Sequence, residues 1–478
     1  MYVALQFKYL FCTQHCSLKC EIVRSIAVIE AKMYVTLQFV SYYFVFLRQN
    51  SWVMIEKRIL EEVVTEQQQE LLDMASVRLC SRKEEQLIDL ESNMAQCVIG
   101  VRRSGKSTLC YSMLRSQKVK FAYVNFDDER LESLKTEDLN PLLEVLYKIY
   151  GDFKYLFIDE IQNIKGWYLF VNRLLRAKMH IIITGSNANL LSGELATHLT
   201  GRHDEIELYP FSFRDFCNAK NVDVNTLTTK NEAFRRDAFD QYLKQGGFPE
   251  LLYKKNKTGY VNTLVENILK RDIEQRHKIK YSRAFERLAQ HLLNVAPTTI
   301  VSNDLAKLFE IKSSHTVDNY INYLAEAYLL IQLQRYSTKS KNRQYDTKVY
   351  PVDVALMDGR EDAFIGDNLG WRLEALVYIE LLRRNRLLER DIYYYKNSNG
   401  YEADFVVCKG NKVLEIYQVC YDISSDKARK RELRGLLTAA KETKCDNLFL
   451  ITDFHRDTIQ QEGKTVKIMP AYEWLLAD

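Results

Sequence analysis

The chain has 478 residues, enough for several domains each with its own core. Lys and Arg number 67 against 63 Asp and Glu, a net +4, so no global field selects a polyanion and nucleic-acid contact would need a local patch. The 10 Cys lie at no disulfide-like spacing and several fall in apolar runs, and no apolar run reaches the roughly 18 residues of a membrane span, so a cytoplasmic protein without a membrane partner is expected.

Residues 1–53 form an atypical extension in which Met1–Phe7 is nearly repeated as Met33–Phe39. Cys12, His15, Cys16 and Cys20 match no common zinc or iron–sulfur spacing, and the uncharged run Met33–Leu47 is short of a span, so neither a metal nor an anchor is favoured. The functional chain is expected to begin near Met54, in a helical segment 54–95 opened by an amphipathic helix with Ile55, Ile59 and Val63 on one face.

From Gln96 strand and helix patterns alternate. Cys97–Ile99, Phe121–Phe126, Tyr155–Ile158 and Ile181–Thr184 read as strands of a parallel α/β sheet, with Glu205–Leu208 as a further strand. Directly after the first strand, Gly100-Val-Arg-Arg-Ser-Gly-Lys-Ser-Thr108 fits G-x-x-x-x-G-K-[ST], and Leu109, Met113 and Leu114 give helical spacing behind it. Such a loop turns backbone N–H groups to a nucleotide's phosphates at a helix N-terminus. Gly100, Arg103, Ser104, Gly105, Lys106, Ser107 and Thr108 are therefore the candidate ATP-binding residues, with Lys106 reaching the β- and γ-phosphates and Ser107 ligating Mg²⁺.

The apolar strand ending in Asp159-Glu160 fits the second nucleotide motif. Asp159 completes the Mg²⁺ shell and Glu160 serves as general base for the attacking water. Thr184-Gly-Ser186-Asn187 ends the next buried strand, where Ser186 or Asn187 would sense the γ-phosphate; a plain strand-to-loop turn accounts for the same residues. Arg202 is a candidate arginine finger, in cis or on a neighbouring subunit, and a solvated surface arginine is the alternative.

Taken together, Gly100–Ser107, Phe157-Ile-Asp-Glu-Ile-Gln162, Thr184-Gly-Ser186, Leu199-Thr-Gly-Arg202, Pro210-Phe-Ser-Phe-Arg-Asp-Phe216 and Gly246-Gly-Phe-Pro-Glu250 resemble the prokaryotic AAA-type ATPases that carry a C-terminal domain of unknown function 4143. The resemblance covers roughly residues 54–478. It implies an ATPase core at 96–216 and a small helical lid at 217–282. Residues 283–349 read as three helices, Phe285–Leu293, Ser302–Phe309 capped by Ser302, and Ser313–Leu324, followed by a strand in Tyr328–Arg335, a winged-helix-like domain. His315, Asn319 and Asn322 would line its recognition helix, which is nearly neutral, and Arg335, Lys339, Lys341, Arg343 and Lys348 offer phosphate contacts.

In residues 350–478 the order of Glu374 on a helix, Asp404 on a strand and Gln418 on the next resembles the restriction-endonuclease-like fold. Cys420 stands where active members carry a lysine, as the resemblance has it, so a nuclease-like scaffold without cleavage is favoured. Lys427, Arg429, Lys430, Arg431 and Arg434 either bind nucleic acid or face water. The expected whole is an α/β protein: an ATPase core with a parallel sheet, a helical lid, a winged-helix unit and a restriction-endonuclease-like domain, using ATP and Mg²⁺ to act on DNA or a protein client, as a homo-oligomer if Arg202 acts in trans. The rival readings are a metal-dependent nuclease built on Glu374 and Asp404 with ATP as a switch, and a scaffold that binds ATP without turning it over.

Overall fold

The computed structural model describes residues 57–74, 79–186, 199, 201–337, 347–358, 368–386 and 388–477. The readings for residues 1–53, and those for Asn187, Lys339, Lys341 and Arg343, lie outside these residues. Among the described residues the cysteines are free thiols, and no helix is long and apolar enough to cross a membrane.

The first described element is helix α1 (Lys57–Met74), whose buried stripe of Leu60, Val63, Val64 and Leu71 leaves Ile59 only half-buried. Its Gln67 amide bonds both backbone groups of Asn125, at 2.9 and 3.0 Å, and so ties the helix to a sheet strand. That sheet comprises β1 (Ala95–Ile99), β2 (Phe121–Asn125), β3 (Tyr155–Asp159), β4 (His180–Gly185) and β5 (His203–Glu207). The spatial order is β2-β3-β4-β1-β5, with every pairing parallel. Crossover helices α2 (Lys106–Ser116), α3 (Leu139–Tyr150) and α4 (Trp167–Arg176) connect the strands, and strands 1 and 4 are buried on both faces, as parallel sheets require. The strand expectations thus hold to within two residues at each end. Because β4 lies between β1 and β3, the ends of three adjacent strands open at one edge, the place where such sheets bind ligands.

Helices α5 (Phe213–Ala219) and α6 (Thr229–Gln245) follow the core, then α7 (Lys257–Asn267) running into a wide π-type turn, Ile268–Glu274. Packing divides this stretch. Phe213, Phe216, Phe239 and Tyr242 enter one apolar core with Tyr350, Tyr378, Phe405 and Trp474 of the C-terminal region, whereas the π-type turn sends Asp272 to the glycine loop through Arg102.

Next come α8 (Ser282–Val295), β6 (Thr298–Thr299), α9 (Ser302–Leu308), α10 (Ser314–Glu326), β7 (Leu330–Gln334) and β8 (Thr347–Pro351), whose strands make a small antiparallel sheet in the order β6-β8-β7. The expected Ser302 cap is absent. Val301 takes that position, and the Ser302 hydroxyl is spent instead on the Asp318 carboxylate of α10. Ser313 does cap α10, accepting from Thr316 N at 3.2 Å.

The C-terminal region is a six-stranded mixed sheet of β9 (Asp391–Lys396), β10 (Glu402–Lys409), β11 (Lys412–Val419), β12 (Leu448–Thr452), β13 (Asp457–Gln461) and β14 (Lys464–Pro470) in the order β13-β14-β12-β11-β10-β9. Helices α11 (Leu369–Arg386) and α13 (Ala471–Leu476) contribute to the first apolar core, and α12 (Asp426–Thr443) seals a second with Leu433, Leu436, Leu437 and Ala440.

Candidate functional site

The glycine loop leaves β1 at Gly100, whose φ is +149°; a Cβ there would lie 2.1 Å from the Leu208 carbonyl oxygen, so the loop can pass the residue that follows β5 only without a side chain. Gly105, at φ +94°, then turns the chain into α2. Lys106 is buried. Its Nζ donates to the carbonyls of Gly100 and Val101, both at 3.1 Å, and its nearest carboxylate oxygen is Glu160 Oε1 at 3.9 Å. The Ser104 hydroxyl is buried with no hydrogen-bond partner.

Asp159 and Glu160 follow from β3. Asp159 is buried, accepting from Thr184 Oγ1 and from the Tyr123 hydroxyl at 3.2 Å. Burial and the neighbouring Glu160 raise its pKa, while Ser107, Thr184 and Lys106 act the other way. Glu160 sits at φ +53°, a strained position for a non-glycine residue. Its Oε2 accepts from Ser186 Oγ at 3.1 Å and from the Gln162 amide, so Oε1 is the atom left facing Lys106. The structure therefore brings Ser104, Lys106, Ser107, Asp159, Glu160 and Ser186 to one sheet edge.

Arg202 is not among them. It precedes β5, whose parallel register sets His203 beside Ala95, and the Arg202 carbonyl accepts from Ala95 N at 3.0 Å. That is the opposite end of β1 from the loop, about 16 Å of strand away. The cis reading is corrected by this register, which leaves action on another subunit or a solvated surface arginine.

Three arginines that frame the loop were not assigned these contacts from sequence. Arg82, buried, donates to Ser104 O at 3.1 Å and Tyr209 O at 2.9 Å, with Asp215 at 3.5 Å. Arg102 bridges Asp127 and Asp272, and Arg103, a candidate phosphate residue, directs its side chain to Glu250 at 2.7 Å. Nothing local marks Arg82 as a support of the loop, since its partner carbonyl on Tyr209 lies 127 residues away.

A second charged cluster occupies the C-terminal region. Glu374 on α11 accepts from the Tyr350 hydroxyl at 2.7 Å, and Asp404 on β10 accepts from Val419 N at 2.8 Å. Gln418 follows Tyr417, the β11 residue opposite Phe405 of β10, and has its Nε2 on Glu432 Oε2 at 2.8 Å and its Oε1 without a partner. The expected order of Glu374, Asp404 and Gln418 on successive elements thus converges. Lys348 of β8, expected from sequence to contact phosphate, instead joins this cluster, paired with Glu402 and 3.7 Å from Glu374 Oε1. Burial opposes its charge, yet Glu374, Asp404 and Glu402 together hold its pKa above the usual lysine range. Burial and mutual repulsion in turn raise Asp404. Lys348 is therefore spent internally, and the Arg335 guanidinium donates to the Lys396 carbonyl at 2.9 Å. On α10, His315 and Asn322 are exposed and Asn319 is half-buried, with Asn322 accepting from Gln332 at 3.0 Å. Among the described residues no three His, Cys, Asp or Glu are placed to hold a metal ion.

A parallel sheet in this strand order, with a glycine loop after β1 and an acid pair after β3, is the fold of an AAA-like P-loop ATPase. An AAA domain matches residues 92–217, a domain of unknown function (DUF8612) residues 236–359 and a domain of unknown function (DUF4143) residues 369–474. An uncharacterised protein of Methanocaldococcus jannaschii is 34% identical over 438 residues, covering 88% of this chain and 96% of its own. An uncharacterised protein of Haemophilus influenzae is 30% identical over 410 residues, covering 82% and 97%. The chain belongs to this family of AAA-type ATPases with a C-terminal domain of unknown function 4143. A Walker-type ATPase of Pyrococcus abyssi is similar at 16% identity and TM-score 0.40, over 58% of this chain and 95% of that one, and the assignment does not lean on it.

Proposed function

We propose that the chain binds ATP with Mg²⁺ at residues 100–108 and hydrolyses it. The observation that carries this reading is the Lys106 ammonium, buried on two loop carbonyls with its nearest carboxylate oxygen, Glu160 Oε1, 3.9 Å away, beside a buried Ser104 hydroxyl that has no partner. Both groups are desolvated without full compensation, a cost that a bound phosphate removes. Lys106 shifts from the carbonyls to the β- and γ-phosphates, and the backbone of Gly100, Arg103, Ser104, Gly105, Ser107 and Thr108 receives them at the start of α2. Ser107 and Asp159 would hold Mg²⁺, which when bound neutralises phosphate charge. Glu160, fixed through Oε2 by Ser186 and Gln162, takes a proton from the attacking water on Oε1. Ser186, hydrogen-bonded to Glu160, links the loss of the γ-phosphate to the base. Arg202 belongs to the site only if subunits assemble, where its guanidinium stabilises charge on a neighbour's γ-phosphate.

ATP turnover then repositions the winged-helix-like residues 283–349 and the C-terminal domain on a macromolecular partner. A scaffold role for the C-terminal domain is favoured over cleavage because the Lys348 ammonium is consumed by Glu402 and Glu374. The test is single- and multiple-turnover ATP hydrolysis by wild type and Glu160→Gln. Loss of water activation should cost at least about 3 kcal/mol of barrier, on the order of a hundredfold in rate, with ATP still bound. Equal rates would remove Glu160 from the mechanism. Mg²⁺-dependent DNA cleavage abolished by Asp404→Ala would overturn the scaffold role.

A further inference from the structure

Several cations of the C-terminal half are held by carboxylates. Arg386 pairs with Glu205 and Glu207, Arg384 with Glu380, and Lys348 with Glu402. Helix α12 differs. At 100° per residue, Lys427, Lys430, Arg431, Arg434 and Lys441 fall within an arc of about 100°, and the five are exposed over about 21 Å of helix. Only Arg431 has a carboxylate partner, Glu432 of its own helix, and the Arg431 side chain is still 76% exposed. Arg429 on the flank meets Asp457 at 3.1 Å, and the Arg434 guanidinium lies 4.6 Å over the Tyr401 ring, which orders it without neutralising it. The opposite face, Leu433, Leu436, Leu437 and Ala440, is sealed in the second core.

We infer that this face of α12 docks the phosphodiester backbone of a nucleic-acid duplex. A linear row of unneutralised cations on a rigid, core-anchored helix complements a linear row of phosphates; about 21 Å of duplex presents roughly six phosphates per strand. A membrane surface is a poor match, because interfacial helices insert an apolar face and that face is already buried. The contact is sequence-independent, since phosphate contacts position a duplex and carry no base readout. The row is local and so does not depend on the near-neutral net charge of the chain, whereas α10 carries Asp318 and Glu326 and Lys348 of the basic run after it is held by Glu402. This inference goes beyond the ATP reading and stands without it.

The test uses the full chain without nucleotide and a fluorescent duplex of about 24 base pairs of arbitrary sequence, as DNA and as RNA, across 50–200 mM salt. Wild type should bind at least one duplex with a log–log salt slope of about −4, at roughly 0.9 per phosphate neutralised. The combined variant Lys427→Glu, Lys430→Glu, Arg434→Glu, Lys441→Glu should weaken binding at least tenfold and flatten the slope. The same four positions changed to Gln should fall between, with an unchanged melting temperature as the control for folding. Tighter binding to DNA than to RNA, or the reverse, names the duplex. Equal affinity of wild type and the Glu variant, no binding of either duplex by wild type, or tighter binding of polyglutamate than of both duplexes would overturn the inference, the last in favour of an acidic protein.

Discussion

Two lysines organise this molecule, and their surroundings differ in a way that separates a ligand site from a structural one. Lys106 and Lys348 are both largely buried, and each has an acid pair nearby: Asp159 with Glu160, and Glu374 with Asp404. Lys106 rests on neutral carbonyls with its nearest carboxylate at 3.9 Å, whereas Lys348 is clamped by Glu402 and Glu374. An ammonium held by carbonyls can transfer to phosphate at little cost. One held by carboxylates cannot, because leaving strands buried negative charge.

The largest separation should come from exchanging each lysine for methionine. Lys348→Met is expected to lose about 3–5 kcal/mol of stability in urea unfolding, as removal of one partner from a buried ion cluster does, while the folded fraction keeps its ATP turnover. Lys106→Met should lose clearly less and abolish ATP binding, because Glu160, 3.9 Å away, keeps its hydrogen bonds from Ser186 and Gln162. Similar unfolding midpoints for the two variants would break the comparison.

Arg82→Ala should join the two effects, with a loss of about 3 kcal/mol together with weaker ATP binding, since the same guanidinium holds the Ser104 carbonyl and meets Asp215. Retained ATP affinity in the folded variant would show that the loop does not need that support.

Asp353 gives a pH dependence outside both clusters. It accepts from Gly247 N and Ala355 N, both at 2.9 Å, yet burial raises its pKa from 3.8 to about 6. The folded state thus binds this proton more tightly than the unfolded chain, so its contribution to stability is full below about pH 4 and falls as pH rises to about 6, by on the order of 3 kcal/mol. Melting temperature against pH, wild type beside Asp353→Asn, should show that slope in wild type only. A smaller effect is expected from Arg103→Ala, which breaks an exposed pair with Glu250 and should cost less than about 1 kcal/mol with modest change in ATP affinity.

What could be read from the chain follows the range of the interactions. Gly100 to Thr108, and Asp159 with Glu160, are contiguous, and the strands around them are continuous apolar runs, so the loop, the acid pair and the strand positions were legible. Glu374, Asp404 and Gln418 could also be ordered by element. Lys348 could not be attached to them, because β8 precedes α11 and its approach depends on tertiary packing. Arg202 was placed near the phosphates by motif alone, and the parallel register with β1 puts it at the far end of the strand. Ser302 carried the local chemistry of a cap, but the competing Asp318 lies 16 residues away.

The most direct test of the distinction between an open and a closed ammonium is calorimetric titration of ATP with Mg²⁺ into wild type, Lys106→Met and Lys348→Met under conditions where all three are folded. Binding by wild type and Lys348→Met, and none by Lys106→Met, is the expected result. Undiminished binding by Lys106→Met, or its loss in folded Lys348→Met, would contradict it.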